Sequence, residues 1–247
     1  MMRWWPRRAA YDRARMLDDA ARARARKQRG RAIALYRQVL AFEPQNAELH
    51  AKLAPLLAET GQPFDAWCSF KAVARAWLRA GQPDTALAVY RDATLYLPRE
   101  VQAWQSVARL LYRQRRTREA VETLLEGSRR FHTRWLRPQA VFLLRRAREI
   151  DPWEFDVVLE LAVLLASSHQ GSEAALLLDG LAERSSGARL RRVRAAQLQV
   201  APGPTALWSY LREVWRGDGV APPAPPRAVD PRPRRSEVVP LHAARLR

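Results

Sequence analysis

Residues 32–44 read AIALYRQVLAFEP, residues 86–98 read ALAVYRDATLYLP, and residues 140–152 read AVFLLRRAREIDP. The interval between successive stretches is constant, so Ala32, Ala86 and Ala140 fall in register. Tyr36, Tyr90 and Leu144 share that register, as do Pro44, Pro98 and Pro152. Each stretch has apolar side chains at helical spacing and ends on a proline, whose missing amide and fixed φ stop a helix. A fixed period marks a repeat array, in which each unit buries its apolar faces against its neighbours.

The period extends outward from these stretches. Leu53, Val107 and Leu161 keep it, then Ala54, Ala108 and Ala162, then Leu57, Leu111 and Leu165, then Ala66, Ala120 and Ala174. A unit of this length holds three helix-plus-turn segments of about 18 residues each. The expected helices are 9–27 and 29–43 in a partial first unit, then 47–60, 64–80 and 83–97 in the second. The third unit gives 101–114, 118–131 and 137–150, and the fourth 154–168, 171–184 and 188–200. Gly61-Gln62-Pro63 and Gly81-Gln82-Pro83 are turns: glycine reaches the needed backbone angle and proline opens the next helix. A last helix at 204–216 puts Leu207, Trp208, Leu211 and Trp215 on one face, suited to cap the open end of the stack.

These residues resemble tetratricopeptide repeats. Phe70, Val73, Ala74, Trp77, Gly81, Ala86, Tyr90, Ala93 and Pro98 fall at that family's spacings. Trp104, Val107, Ala108, Leu111 and Ala120 repeat its first half, and Leu53, Ala54, Leu57, Gly61 and Ala66 do so again. The departure is the longer period, which adds a third helix to each pair. The resemblance implies an all-α, right-handed α-solenoid of about 12 helices. It also implies a non-catalytic scaffold that binds peptides or partner domains. The family's clamp for a terminal carboxylate uses Lys and Asn, whereas this chain has only Lys27, Lys52, Lys71 and Asn46. That clamp is not expected here.

Composition agrees with a folded helical chain. Of 247 residues, 48% are hydrophobic, enough for a core. The net charge is +18, almost all of it arginine, and it is concentrated in 1–40, 99–152 and 201–247. The arginine bias also resembles the codon bias of a GC-rich genome. Three regions follow: a basic Trp-containing segment at 1–8, a repeat domain at 9–216, and a Pro- and Arg-rich tail at 217–247 that is expected to be disordered. No apolar run is long enough to span a membrane, and no apolar stretch follows the basic start, so a cytoplasmic location is expected and membrane binding is not.

The chemistry of catalysis is not legible. His50, His132, His169 and His242 show no metal-binding spacing, and no nucleophile elbow, phosphate loop or dinucleotide fingerprint occurs. Cys68 reads as a buried core thiol and Asp18-Asp19 as ion-paired surface. No cofactor and no small-molecule substrate are expected. The candidate partner-binding residues are Arg113, Arg115, Arg116, Arg118, Arg129, Arg130, Arg134, Arg137, Arg145 and Arg148. If the turns line one edge, they form a basic ridge for an acidic peptide or protein partner, since guanidinium forks pair with carboxylates. Phosphates of nucleic acid are the alternative ligand. Phe131 and Trp135 are near enough for base stacking, but their spacing suits core packing equally well.

Overall fold

The computed structural model describes residues 12–217. The 1–8 segment and all but the first residue of the 217–247 tail lie outside the described residues. The helices are α1 (Arg13–Ala25), α2 (Arg29–Leu40), α3 (Ala47–Glu59), α4 (Pro63–Arg79), α5 (Pro83–Tyr96) and α6 (Val101–Arg113). They continue with α7 (Thr117–Ser128), α8 (Arg137–Ile150), α9 (Phe155–Ala166), α10 (Gly171–Glu183), α11 (Gly187–Val200) and α12 (Pro204–Gly217). No strand occurs among the described residues. Each helix packs on its predecessor and its successor. Contact between helices two apart recurs with the unit: α3 with α5, α6 with α8, and α9 with α11.

The turns explain the spacing. Lys27, Gly61, Gly81, Arg115 and His169 have left-handed backbone. The next amide in each case bonds back into the preceding helix: Gln28 to Ala23, Gln62 to Leu57, Gln82 to Trp77, Arg116 to Leu111 and Gln170 to Leu165, all at 2.9–3.0 Å. This Schellman closure satisfies carbonyls that a helix end leaves orphaned. The carbonyl of the same residue then accepts from Ala32, Ala66, Ala86, Ala120 or Ala174 in the next helix. All five alanines are fully buried, so each turn delivers a small residue to the helix crossing. The interval from Lys27 to Gly61 equals that from Gly81 to Arg115, and each spans a helix pair. The interval from Gly61 to Gly81 is shorter and spans α4 alone. The unit is thus a two-helix repeat followed by one further helix.

One turn departs from the expectation. The expected helix 118–131 stops at Ser128, and short 3-10 turns at Arg129–Phe131 and Arg134–Leu136 lead into α8. Trp135 stands where Gly81 stands one unit earlier, and a bulky side chain resists the left-handed angle. Phe131 turns into the core, whereas Trp135 is 87% exposed and does not pack there. The last helix also differs. α12 packs on α11, and Trp208 meets Trp215 edge-on at 5.9 Å. Leu207 is nonetheless exposed, and the most buried residue of α12 is Glu213, held by Arg216 at 3.2 Å. Trp208, Leu211 and Trp215 of the expected capping face are half-buried, and Leu207 stands at its exposed margin.

Candidate partner-binding surface

The ten nominated arginines do not make one ridge. Arg113, Arg115, Arg116 and Arg118 surround the start of α7, and Arg129, Arg130, Arg134 and Arg137 surround its end. At a rise of about 1.5 Å per residue, the 12 residues of α7 separate the groups. Six of the ten already have partners. Arg116 binds Glu119 at 2.7 and 2.6 Å, Arg118 binds Glu122 at 2.9 Å, and Arg130 binds Glu126 at 3.1 Å. Arg129 binds Glu160 at 2.6 Å, Arg145 binds Glu173 at 2.9 Å, and Arg137 donates to the Ser167 carbonyl at 3.3 Å. Arg113, Arg115, Arg134 and Arg148 have no such partner among the described residues.

One of these pairs, Arg145 with Glu173, belongs to a repeated device. Arg37 pairs with Asp65, Arg91 with Glu119 at 3.5 Å, and Arg145 with Glu173 at 2.9 Å. Both partners advance by one full unit each time. Every rung joins the last helix of one unit to the middle helix of the next: α2 to α4, α5 to α7, and α8 to α10. The arginines were visible in register inside the opening stretches; the matching acids at 65, 119 and 173 were the signal to look for. Glu119 receives two arginines. The hydrogen bond from Arg116, aided by the charges of Arg116 and Arg91, holds its carboxyl below the usual range. Each pair is partly exposed, so water screens it and it contributes little to stability by itself.

The Arg91–Glu119 rung borders a groove of about 590 Å³ between α5, α6 and α7. Its floor is Trp104 and Val107 of α6, and its walls carry Leu95 of α5 and Glu122, Thr123 and Glu126 of α7. Leu95 is 77% exposed. Trp104 is pinned by an Nε1 hydrogen bond to the Pro98 carbonyl at 3.1 Å. Gly127 permits the close approach of α7, since a Cβ there would lie 2.8 Å from the Trp104 ring.

The remaining candidates stay apart. His50 Nε2 lies 3.0 Å from the Pro44 carbonyl, His169 occupies a turn, His132 is exposed, and His242 lies outside the described residues. Asp19 accepts from Arg22 at 2.8 Å. Cys68 is half-buried rather than buried, because the core stripe of α4 runs through Ala66, Trp67, Phe70 and Ala74 and leaves it at the margin. No group of three metal-ligating side chains occurs among the described residues, and none of their helices is long and apolar enough to cross a membrane.

The turn spacing, the buried alanines and the helix pairing decide the architecture. The fold is a tetratricopeptide-like α-solenoid. No family model and no curated protein matches the chain. Solved structures align with it at low identity. The crystal structure of MamA aligns over 84% of this chain and 92% of its own, with 13% identity and a TM-score of 0.30. TTC0263, a thermophilic TPR protein in Thermus thermophilus, aligns over 85% and 92%, with 16% identity and a TM-score of 0.32. YrrB, a TPR protein with an unusual peptide-binding site, aligns over 76% and 93%, with 15% identity and a TM-score of 0.27.

Proposed function

We propose that this protein is a non-catalytic scaffold that holds a segment of a partner protein in the grooves between its helices. The observation that carries this reading is the groove over Trp104 and Val107, bordered by a rung of the arginine–acid ladder and edged by exposed Leu95. A groove held open before binding loses less entropy when filled. An exposed leucine beside an apolar floor suits a peptide side chain, and the mixed charges of Arg91, Glu122, Glu126 and Arg130 suit a polar flank. Nucleic acid is the second reading. It is supported less, because most of the nominated arginines are already engaged by acids or a carbonyl of this chain.

A photocrosslinking amino acid at Leu95, with one at Leu176 as control, tests the proposal in lysate from the source cells. The expected result is a discrete protein adduct at Leu95 that survives nuclease. Adducts that vanish with nuclease, or that match the Leu176 control, would overturn it.

A further inference from the structure

Helix α12 is the first helix of a fifth unit. Each earlier first helix, α3, α6 and α9, packs against the last helix of the unit before and against the middle helix of its own unit. α12 has α11 on one side and, among the described residues, no middle helix on the other. Its register confirms the assignment. α10 starts one full unit after α7, but α11 starts four residues short of a full unit after α8, which is about one turn of helix. With that turn removed, Leu207, Trp208, Leu211 and Trp215 fall on Val157, Val158, Leu161 and Leu165 of α9. Those four are at most 1% exposed in α9, whereas Leu207 is 46% exposed and the other three are half-buried in α12. Trp208 takes the place of Trp104 of α6. The Trp104 ring is covered by the middle helix α7, which comes so close at Gly127 that a Cβ there would lie 2.8 Å away. Trp208 has no such cover among the described residues; its ring meets Trp215 of its own helix.

The repeat also says what kind of helix belongs there. The middle helices carry an acid as their third residue, Asp65, Glu119 or Glu173, and each accepts from an arginine on the last helix of the unit before. In α11 the rung position is Ala195, and Arg191 stands one turn before it on the same face, with no ionic or hydrogen-bonding partner among the described residues. On α12, Arg212 and Arg216 share the single carboxylate of Glu213, at 3.9 and 3.2 Å. Arg212 Nε is buried and has no hydrogen-bond partner. An apolar stripe flanked by excess positive charge suits a helix with acidic flanks. Residues 218–247 lack that chemistry. Six arginines there outnumber three acids, and no proline-free run reaches the 12 residues of α7. A second copy would bring the same arginines to the same face, where like charges repel.

We infer that α12 docks an acidic amphipathic helix of a partner protein in the place of a middle helix, with an acid in its first turn towards Arg191 and a small residue over Trp208. An acid there also suits the free amides at that helix's start. The inference rests on the scaffold reading and names the chemistry of a partner segment. It differs in place from the groove over Trp104.

The test uses the full chain and a fluorescent, hydrocarbon-stapled peptide of residues 117–128, TREAVETLLEGS, which carries the acid and the glycine at the required places. Fluorescence anisotropy reads binding. The peptide is expected to bind the unaltered chain, and Leu207→Glu to weaken it at least about tenfold. Leu176→Glu, at an exposed apolar site on α10, leaves it unchanged; neither side chain belongs to the core. Peptides carrying Glu119→Gln or Gly127→Leu bind several-fold more weakly. No binding to the unaltered chain overturns the inference and needs no variant to fold. So does binding that survives Leu207→Glu, which would mean that the peptide displaces α7 itself from α6. Sedimentation velocity is expected to find a monomer. A dimer that Leu207→Glu dissolves gives the face to a second copy, and a marked gain in peptide affinity on deleting 218–247 gives it to the tail; either result overturns the inference. None of these results touches the scaffold reading, which the Leu95 crosslink tests separately.

Discussion

Arg115 and His169 adopt at φ 62° and 61° the backbone that Gly61 adopts at 74°. A side chain in that conformation crowds the neighbouring carbonyl, so Arg115→Gly is expected to gain about 0.5–1 kcal/mol, reduced by the added freedom of the unfolded chain. Gly61→Ala is expected to lose about 1 kcal/mol from the backbone alone, since nothing lies within 4 Å of the new methyl. Urea unfolding midpoints read both. Gly127→Ala fails for another reason: its methyl meets the buried Trp104 ring, and overpacking costs about 1–3 kcal/mol. Altered tryptophan fluorescence should accompany the loss. Glu119 sets a pH dependence. Its carboxyl is held below the ordinary 4.5, chiefly by Arg116, so its contribution is complete above that pH and is lost as pH falls through the lowered value. A carbon-detected NMR titration should find it low and find Arg116→Gln returning it upward.

At the scale of elements, the helices were legible because proline, glycine and apolar spacing agreed. Pro63 and Pro83 open α4 and α5 where they were expected. Left-handed turns at Lys27, Arg115 and His169 were not legible, since those residues do not advertise that angle; the period alone, carried from Gly61 and Gly81, could have placed them. The rungs escaped notice because their acids belong to the next unit, and 43 basic side chains supply many false partners. The candidate surface was the least readable part. Nothing in one sequence says that α7 separates two arginine groups, or that Trp135 faces solvent while Phe131 faces the core. A double-mutant cycle on Arg91→Gln and Glu119→Gln should return a small coupling that fades with salt, as solvent-screened pairs do. A coupling that persists at high salt would mean the rung governs how α5 and α7 sit.

The molecule as a whole behaves as a linear array, in which each unit is stabilised by its neighbours. Removing 99–152 and joining Pro98 to Trp153 should leave a shorter, cooperatively folding chain, because α9 then meets α5 as α6 did. Removing only 99–132, a helix pair in place of a full unit, should destroy cooperative melting, since it pairs non-equivalent helix faces. Calorimetry separates the two. The three-helix unit has one more consequence. Short turns reverse the chain at every step, so an odd count inverts each successive unit. The turns at Gly61, Arg115 and His169 therefore alternate between the two edges of the stack. Full translational symmetry returns only after a pair of units, and a partner lying along one edge would meet the same motif at every second unit.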